Sequence, residues 1–239
     1  MARARWFGLA IAAMIAVASS PAGAQAPPPP APAIEGPVYI VTYFEVDAPA
    51  AAKTARTLRQ FAAATRQEKG NGGFLALREI ARTGRFATVE MWRDKAAADA
   101  HAPAVTALAD KLKAIFVSPF DIRLNSGLAV AGPTIGAEPD PGNIAAYVLT
   151  HVDVFPAGKD QTVELLKALA DSSRKEEGNL RFDILQQAGR LNHLPVVEAW
   201  RTPAARDAHL MAAHTRGFRA KLVSLQGALY DERVYRAVR

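Results

Sequence analysis

The sequence predicts an α+β protein made of two copies of one βαββαβ unit. Each copy is a ferredoxin-like, four-stranded antiparallel sheet with two helices on one face, and the sheets pack through their other faces. Three observations predict this. Residues 39 to 101 laid on 147 to 209, at a constant offset of 108, are identical at 22 of 63 positions without a gap. Apolar periodicity in each copy reads strand, helix, strand, strand, helix, strand. The first strand of each copy is apolar on both faces and so needs cover on both. A repeat of about 100 residues is far longer than a solenoid period, so it is a domain duplication whose halves are expected to pack as a pseudo-dimer rather than as separate beads.

Ahead of the repeats, Arg3 and Arg5 precede an apolar run from Trp6 to Ala18, and Ala22-Gly23-Ala24 offers small residues at both positions a signal peptidase reads. Residues 1–24 are therefore expected to be a cleaved signal peptide, delivering the protein to the periplasm or the medium. The run falls short of the roughly 20 residues that span a bilayer, so stable membrane insertion is not expected. Residues 25–37 form an alanine- and proline-rich linker. Repeat one is expected at 38–130, a Gly/Pro-rich linker at 131–143 and repeat two at 144–239.

Removing Arg3 and Arg5 takes Lys plus Arg from 29 to 27 against 23 acids, so the formal charge falls from +6 to +4. No basic cluster or aromatic-interleaved basic stripe appears, which argues against a nucleic-acid partner. The absence of Cys excludes disulfides, thiolate metal sites and Cys nucleophiles.

The first strand, Val38 to Val46, puts Val38, Ile40, Thr42, Phe44 and Val46 on one face and Tyr39, Val41, Tyr43 and Glu45 on the other. The copy does the same with Val148, Thr150 and Val152 against Tyr147, Leu149 and His151. A helix is expected from Ala50 to Lys69, with Gly70 and Gly178 at the left-handed position that ends each first helix. Strands at Phe74 to Ile80 and Phe86 to Trp92 follow, joined by a turn at Thr83-Gly84. The second helices start at the N-cap residues Asp94 and Thr202, and Pro103 and Gly217 are expected to bend or interrupt them. Beyond them the second copy needs two extra residues to stay aligned. Final strands are expected near Phe120 to Leu124 and Leu229 to Tyr235, with Leu128 to Val130 able to extend the first.

Three motifs recur in order in both copies: Glu-x-Gly-Asn at Glu68 and Glu176, Glu-x-Trp at Glu90 and Glu198, and an Ala-His pair ending at His101 and His209. With these the chain resembles the antibiotic biosynthesis monooxygenase (ABM) family, whose units form dimeric α+β barrels. The resemblance implies a pocket between sheet and helices in each unit, and an oxygenase that uses molecular oxygen on quinols or polycyclic phenols without metal or flavin. Heme-cleaving members use an Asn on the first strand and a later His, where this chain has Thr42 or Thr150 and Lys or Arg, so heme cleavage is not expected.

His101 and His209 are the leading candidates for chemistry, since imidazole titrates near neutrality and suits proton removal from a phenol. His101 shares a helical face with Val105, Leu108 and Leu112, which points it at the sheet if Pro103 leaves the helix in phase. The alternative is a buried, hydrogen-bonded His fastening helix to sheet. His214 and His151 are further catalytic candidates, and because they have no His counterpart in the first copy, the second half is expected to hold the better-equipped pocket. Trp92, Trp200, Thr42, Thr150 and Tyr43 are candidate substrate contacts, although the two Trp residues read first as core plugs at a strand end and only second as an aromatic wall. Glu90 and Glu198 are expected in buried ion pairs with Arg93 or Arg201. No chelating set of His, Asp or Glu recurs in both halves, so no metal is expected. The reading is an exported, cofactor-independent monooxygenase with a small aromatic or hydrophobic partner and the option of a homodimer; the alternative is a binding or stress-response protein on the same barrel.

Overall fold

A computed structural model of the chain describes residues 34–131, 134–136 and 146–238. The expected signal peptide, most of the linker after it and most of the linker between the repeats lie outside the described residues.

The first repeat runs β1 (Val38–Val46), α1 (Ala51–Thr65), β2 (Asn71–Glu79), β3 (Arg85–Trp92), α2 (Lys95–Leu112) and β4 (Phe116–Ala129). The second runs β5 (Ala146–Asp153), α3 (Lys159–Ser173), β6 (Asn179–Gln187), β7 (His193–Trp200), α4 (Pro203–Met211), α5 (Ala213–Leu222) and β8 (Asp231–Ala237). The eight strands form one closed antiparallel barrel in the order β1-β3-β2-β8-β5-β7-β6-β4.

The halves meet through their inner faces, as expected, and also edge to edge. β4 pairs with β6 through Asn125 to Ala129, and β2 pairs with β8 through Leu77 to Glu79. Closure gives every strand two partners and removes the exposed edges that an open four-stranded sheet leaves. It also explains why the 14-residue β4 runs past Leu124 to Ala129, where it pairs with β6; its early start at Phe116 pairs with β1 instead.

The period-2 alternation of β1 and β5 divides two environments. Tyr39, Val41 and Tyr43 join Leu75, Leu77 and Val89 of the first half, and Tyr147, Leu149, Leu185, Val197 and Tyr235 of the second, in one barrel core. The opposite faces pack under the helices: Phe44 and Phe74 with Leu58, Leu108 and Leu112 in one half, Val148 and Phe182 with Leu166, Phe218 and Leu222 in the other. Phe44 therefore belongs to a core whose buried residues all come from the first half, with Val238 of the second packed at its margin, while the interior shared by both halves is built from its strand neighbours.

Gly70 and Gly178 have φ of +88° and +81°, the left-handed region that glycine enters without steric cost. A Cβ on either would lie 2.7 Å from the Cβ of Ala97 or Ala205 in the following helix. Their carbonyls accept the amide hydrogens of Arg93 and Arg201, both at 2.8 Å, which fixes the start of that helix against the turn.

α2 continues through Pro103 without a break. Its counterpart does not: Ala212, with φ −62° and ψ 145°, separates α4 from α5, and Gly217 sits inside α5. The break, expected at Gly217, falls five residues earlier, in the stretch between His209 and Thr215 where the second copy gains its two extra residues.

Candidate functional site

In each repeat the third strand, the second helix and the turn after the first helix bring the three recurrent motifs together. Glu90 and Trp92 lie two residues apart on β3 and so share its helix-covered face. The Trp92 indole donates to Glu90 Oε2 at 3.0 Å, and its ring lies against His101, 4.7 Å between centroids at 33°. His101 Nδ1 lies 2.9 Å from both carboxylate oxygens of Glu68. A carboxylate only accepts, so Nδ1 carries a proton, and in the neutral ring Nε2 then holds the free lone pair. Nε2 is buried without a hydrogen-bond partner, 3.6 Å from Glu90 Oε2.

The second half repeats the arrangement with His209 Nδ1 2.9 Å from Glu176, Trp200 donating to Glu198 at 2.8 Å, and the same 4.7 Å and 33° between Trp200 and His209. Burial pushes the Glu90 carboxyl above its ordinary range and Glu198 up to about 8. Burial holds His209 below the usual imidazole value, against the opposing pull of Glu176.

A cavity of about 370 Å³ opens over the first of these clusters, between α2 and strands β1 and β4. Ile40, Thr42, His101, Val105, Phe120 and Leu124 line it. A recess of about 10 Å³ reaches from Thr42, Val105 and Phe120 to Glu90 and Thr88. The corresponding ground in the second half is built differently. Arg206 stands where the first half has Ala98, at the offset of 108, and beyond the two-residue insertion Arg219 answers to Ala109 and Glu232 to Ile122. Arg206 and Arg219 both pair with the Glu232 carboxylate, the latter at 2.6 Å, and the Arg219 guanidinium lies 4.8 Å from the Tyr230 ring centre. Charged side chains thus occupy, in the second half, positions that border open space in the first.

Trp92 and Trp200 have no exposed surface; they are core plugs beneath the His rings, the reading the strand end suggested, and not the aromatic walls of a cavity. Other candidates fall elsewhere than expected. Tyr43 and His151 project into the barrel interior, on the far side of the sheet from His101 and His209. There the Tyr43 and His151 rings lie 4.9 Å apart, and His151 Nδ1 is 3.1 Å from His193 Nε2 and 3.0 Å from Arg123. Burial and the neighbouring Arg123 lower His151 to about 3 and His193 to about 4, so both are neutral at physiological pH. Thr42 lines the cavity, and Thr150 is its buried counterpart under the second-half helices. Glu90 and Glu198 take indole hydrogens in place of the expected Arg partners, and Arg93 pairs with Asp94.

His214 does join His209: Glu176, His209 and His214 present ligand-type atoms all within 4.8 Å of one another. That set bears on the expectation of no metal, which rested on ligands recurring in both halves. His214 was outside such a search because the first copy has no equivalent. Glu68 and Glu176, read only as part of a turn motif, orient the two imidazoles; the signal available in the sequence was their recurrence 33 residues before each His.

The sequence pattern of the antibiotic biosynthesis monooxygenase family matches residues 37–105 and 145–221, one match per repeat. The candidate monooxygenase YcnE of Bacillus subtilis (strain 168) is 32% identical over 81 residues, 34% of this chain and 85% of YcnE. The crystal structure of a candidate monooxygenase from Fusobacterium nucleatum superposes with a TM-score of 0.75 at 16% identity, covering 85% of this chain and 93% of that one. An anthrone oxidase-like protein superposes with a TM-score of 0.66 at 15% identity, over 88% of this chain and 95% of its own. At such identities the structural likeness speaks for the fold, whereas the paired matches, over both helix-covered units that carry the Glu–His–Trp clusters, place this chain in the antibiotic biosynthesis monooxygenase family.

Proposed function

We propose that the protein is a cofactor-independent monooxygenase that takes a planar phenolic substrate, a quinol or anthrol, into the first-half cavity. The observation that carries this is the buried, partnerless Nε2 of His101, held in the proton-accepting tautomer by Glu68 at the edge of an apolar space of about 370 Å³. Family membership supports the reaction class, and the likeness to an anthrone oxidase-like protein supports a polycyclic phenol as the kind of substrate.

In this reading Nε2 takes the phenolic proton, and Glu68 stabilises the imidazolium as a carboxylate does in other oriented-histidine sites. The ring anion passes electrons to molecular oxygen, and a C–O bond forms at a hydrogen-bearing ring carbon conjugated with the oxyanion, para in an anthrol and ortho in a quinol. His101 returns its proton to the resulting peroxide. Loss of water, with the hydrogen left on that carbon, gives a new carbonyl, so one oxygen atom enters the product and the other leaves as water. The substrate supplies all the electrons. We also propose, from Ala22-Gly23-Ala24 after a short apolar run, that this happens outside the cytoplasm; N-terminal sequencing of exported protein tests that.

The deciding experiment is oxygen uptake by the purified protein over a panel of quinols and anthrols. A positioned general base is worth about a hundredfold to ten-thousandfold in rate, so His101→Ala and the closer-sized His101→Asn should lose most turnover while His209→Ala keeps it. Undiminished activity in both His101 variants removes that residue from the mechanism. Failure of every substrate to support uptake, with ligands still raising the melting temperature, favours a binding role.

A further inference from the structure

We propose that Glu176, His209 and His214 form a binding site for one divalent first-row transition-metal ion in the second repeat, separate from the first-half cavity.

The three side chains converge from different elements. Glu176 follows α3, His209 sits near the end of α4, and His214 opens α5. On an unbroken helix, positions five apart are turned well away from each other, because 3.6 residues complete a turn. The extended Ala212 breaks the helix between them and turns His214 back toward Glu176. Glu176 Oε2 then lies 2.9 Å from His209 Nδ1, and Oε1 lies 2.5 Å from His214 Nε2. Around a metal with bonds of about 2.0–2.2 Å, neighbouring donor atoms stand roughly 3–3.5 Å apart, a spacing that small side-chain rotations reach from here.

The contact between His214 and Glu176 is not a well-formed hydrogen bond. Both atoms are buried, and despite their 2.5 Å approach neither finds a hydrogen-bond partner of acceptable geometry. Two polar atoms brought this close without the geometry of a hydrogen bond are what converging ligands look like. The His209 ring is buried, and Thr215 Oγ1 lies 3.3 Å from its Nδ1 and 3.5 Å from its Nε2, so a small ring rotation lets it accept the Nε2 hydrogen once Nδ1 coordinates. His214 is 30% exposed, which leaves a route for the ion and room for water or another ligand.

The first repeat is the internal comparison. It has the same Glu68–His101 pair, but α2 runs unbroken and Thr106 stands 108 residues before His214. A pair orients an imidazole; the third ligand makes a chelate. Two imidazole nitrogens and one carboxylate, with no thiolate in the chain, suit zinc, iron(II), cobalt, nickel or manganese rather than calcium or magnesium.

The test is titration of the full chain, free of any added histidine tag, with Zn²⁺ by calorimetry and with Co²⁺ by visible absorption. One ion per chain is expected, with Co²⁺ bands that show nitrogen and oxygen donors. His214→Ala should weaken binding by more than the ~10–100-fold that losing an outer-shell partner costs, and His193→Ala, which splits the other His pair among the described residues, should leave it unchanged. Because a substitution can disturb folding, Co²⁺ added to the unaltered protein gives a second readout: paramagnetic shifts confined to the imidazole signals of His209 and His214. Absence of stoichiometric binding, binding that survives His214→Ala, or shifts at His151 and His193 instead would overturn the proposal.

Discussion

Arg206 holds the place in the second repeat that Ala98 holds in the first, and its guanidinium is paired with Glu232 across what is an open cavity on the Ala98 side. Ground that is apolar in the first repeat thus carries an ion-paired Arg–Glu–Arg set in the second. Transplanting the second-half set as Ala98→Arg, Ala109→Arg and Ile122→Glu should close the first-half cavity without unfolding the chain, since the three side chains can pair among themselves. Loss of the ligand-induced rise in melting temperature, with the melting temperature of the free protein nearly unchanged, is the expected result. The single substitution Ala98→Arg should be worse tolerated, because it places a charge without its partner in a largely buried position.

Glu68 positions His101 and does not face the cavity lining, so its removal should act through the imidazole. Glu68→Gln can still hydrogen-bond Nδ1 but no longer stabilises the imidazolium. We expect kcat to fall about tenfold to a hundredfold with little change in KM, and the pH profile of kcat/KM to move. A purely structural Glu68 would change stability and leave that profile in place.

The barrel core is shared, so damage to it should be felt by both repeats at once. Leu77→Ala, at a fully buried residue packed among side chains of both halves, should cost about 2–5 kcal/mol and shift a single cooperative transition. Phe44→Ala, in a core whose buried residues all come from the first half, is the companion measurement. Two thermal transitions, only one of them moved by Leu77→Ala, would mean the halves fold separately.

Stability should depend on Glu198 in a pH-specific way. Its folded pKa of about 8 lies above the ordinary carboxylate value, so the folded state keeps a proton that the unfolded chain releases. That makes Glu198 increasingly unfavourable as pH rises from about 4.5 to about 8. Glu198→Gln carries no such dependence and keeps a partner for the Trp200 indole, so its melting temperature relative to the parent should climb across that window. His151 and His193 act at the acid end: their folded values of about 3 and 4 are depressed, so stability should fall as pH drops from about 6.5 toward 4, and His193→Ala should flatten that limb.

Gly70→Ala and Gly178→Ala should each destabilise by more than the ~1–2 kcal/mol of a left-handed alanine, because the added Cβ also meets the next helix at 2.7 Å. Equal effects at the two sites, measured by chemical denaturation, are expected from their matching geometry.

What the sequence determined by itself was everything carried by neighbours within a few residues or by the repeat. The alternation of β1 was enough to sort Phe44 from Tyr43, the spacing of His101, Leu108 and Leu112 was enough to aim the imidazole at the sheet, and the recurrent Glu, Trp and His marked both clusters. Tertiary structure decided which of these residues come together. Whether a cavity stays open depends on side-chain volumes and charges contributed by a helix and two strands far apart in the chain, so Ala98, Ala109 and Ile122 acquire meaning only against Arg206, Arg219 and Glu232 in place. The barrel closes through β4–β6 and β2–β8 pairings, whose backbone hydrogen bonds leave little trace in side-chain pattern. A one-residue break at Ala212 brings His214 to Glu176, where helical periodicity alone would have pointed it away.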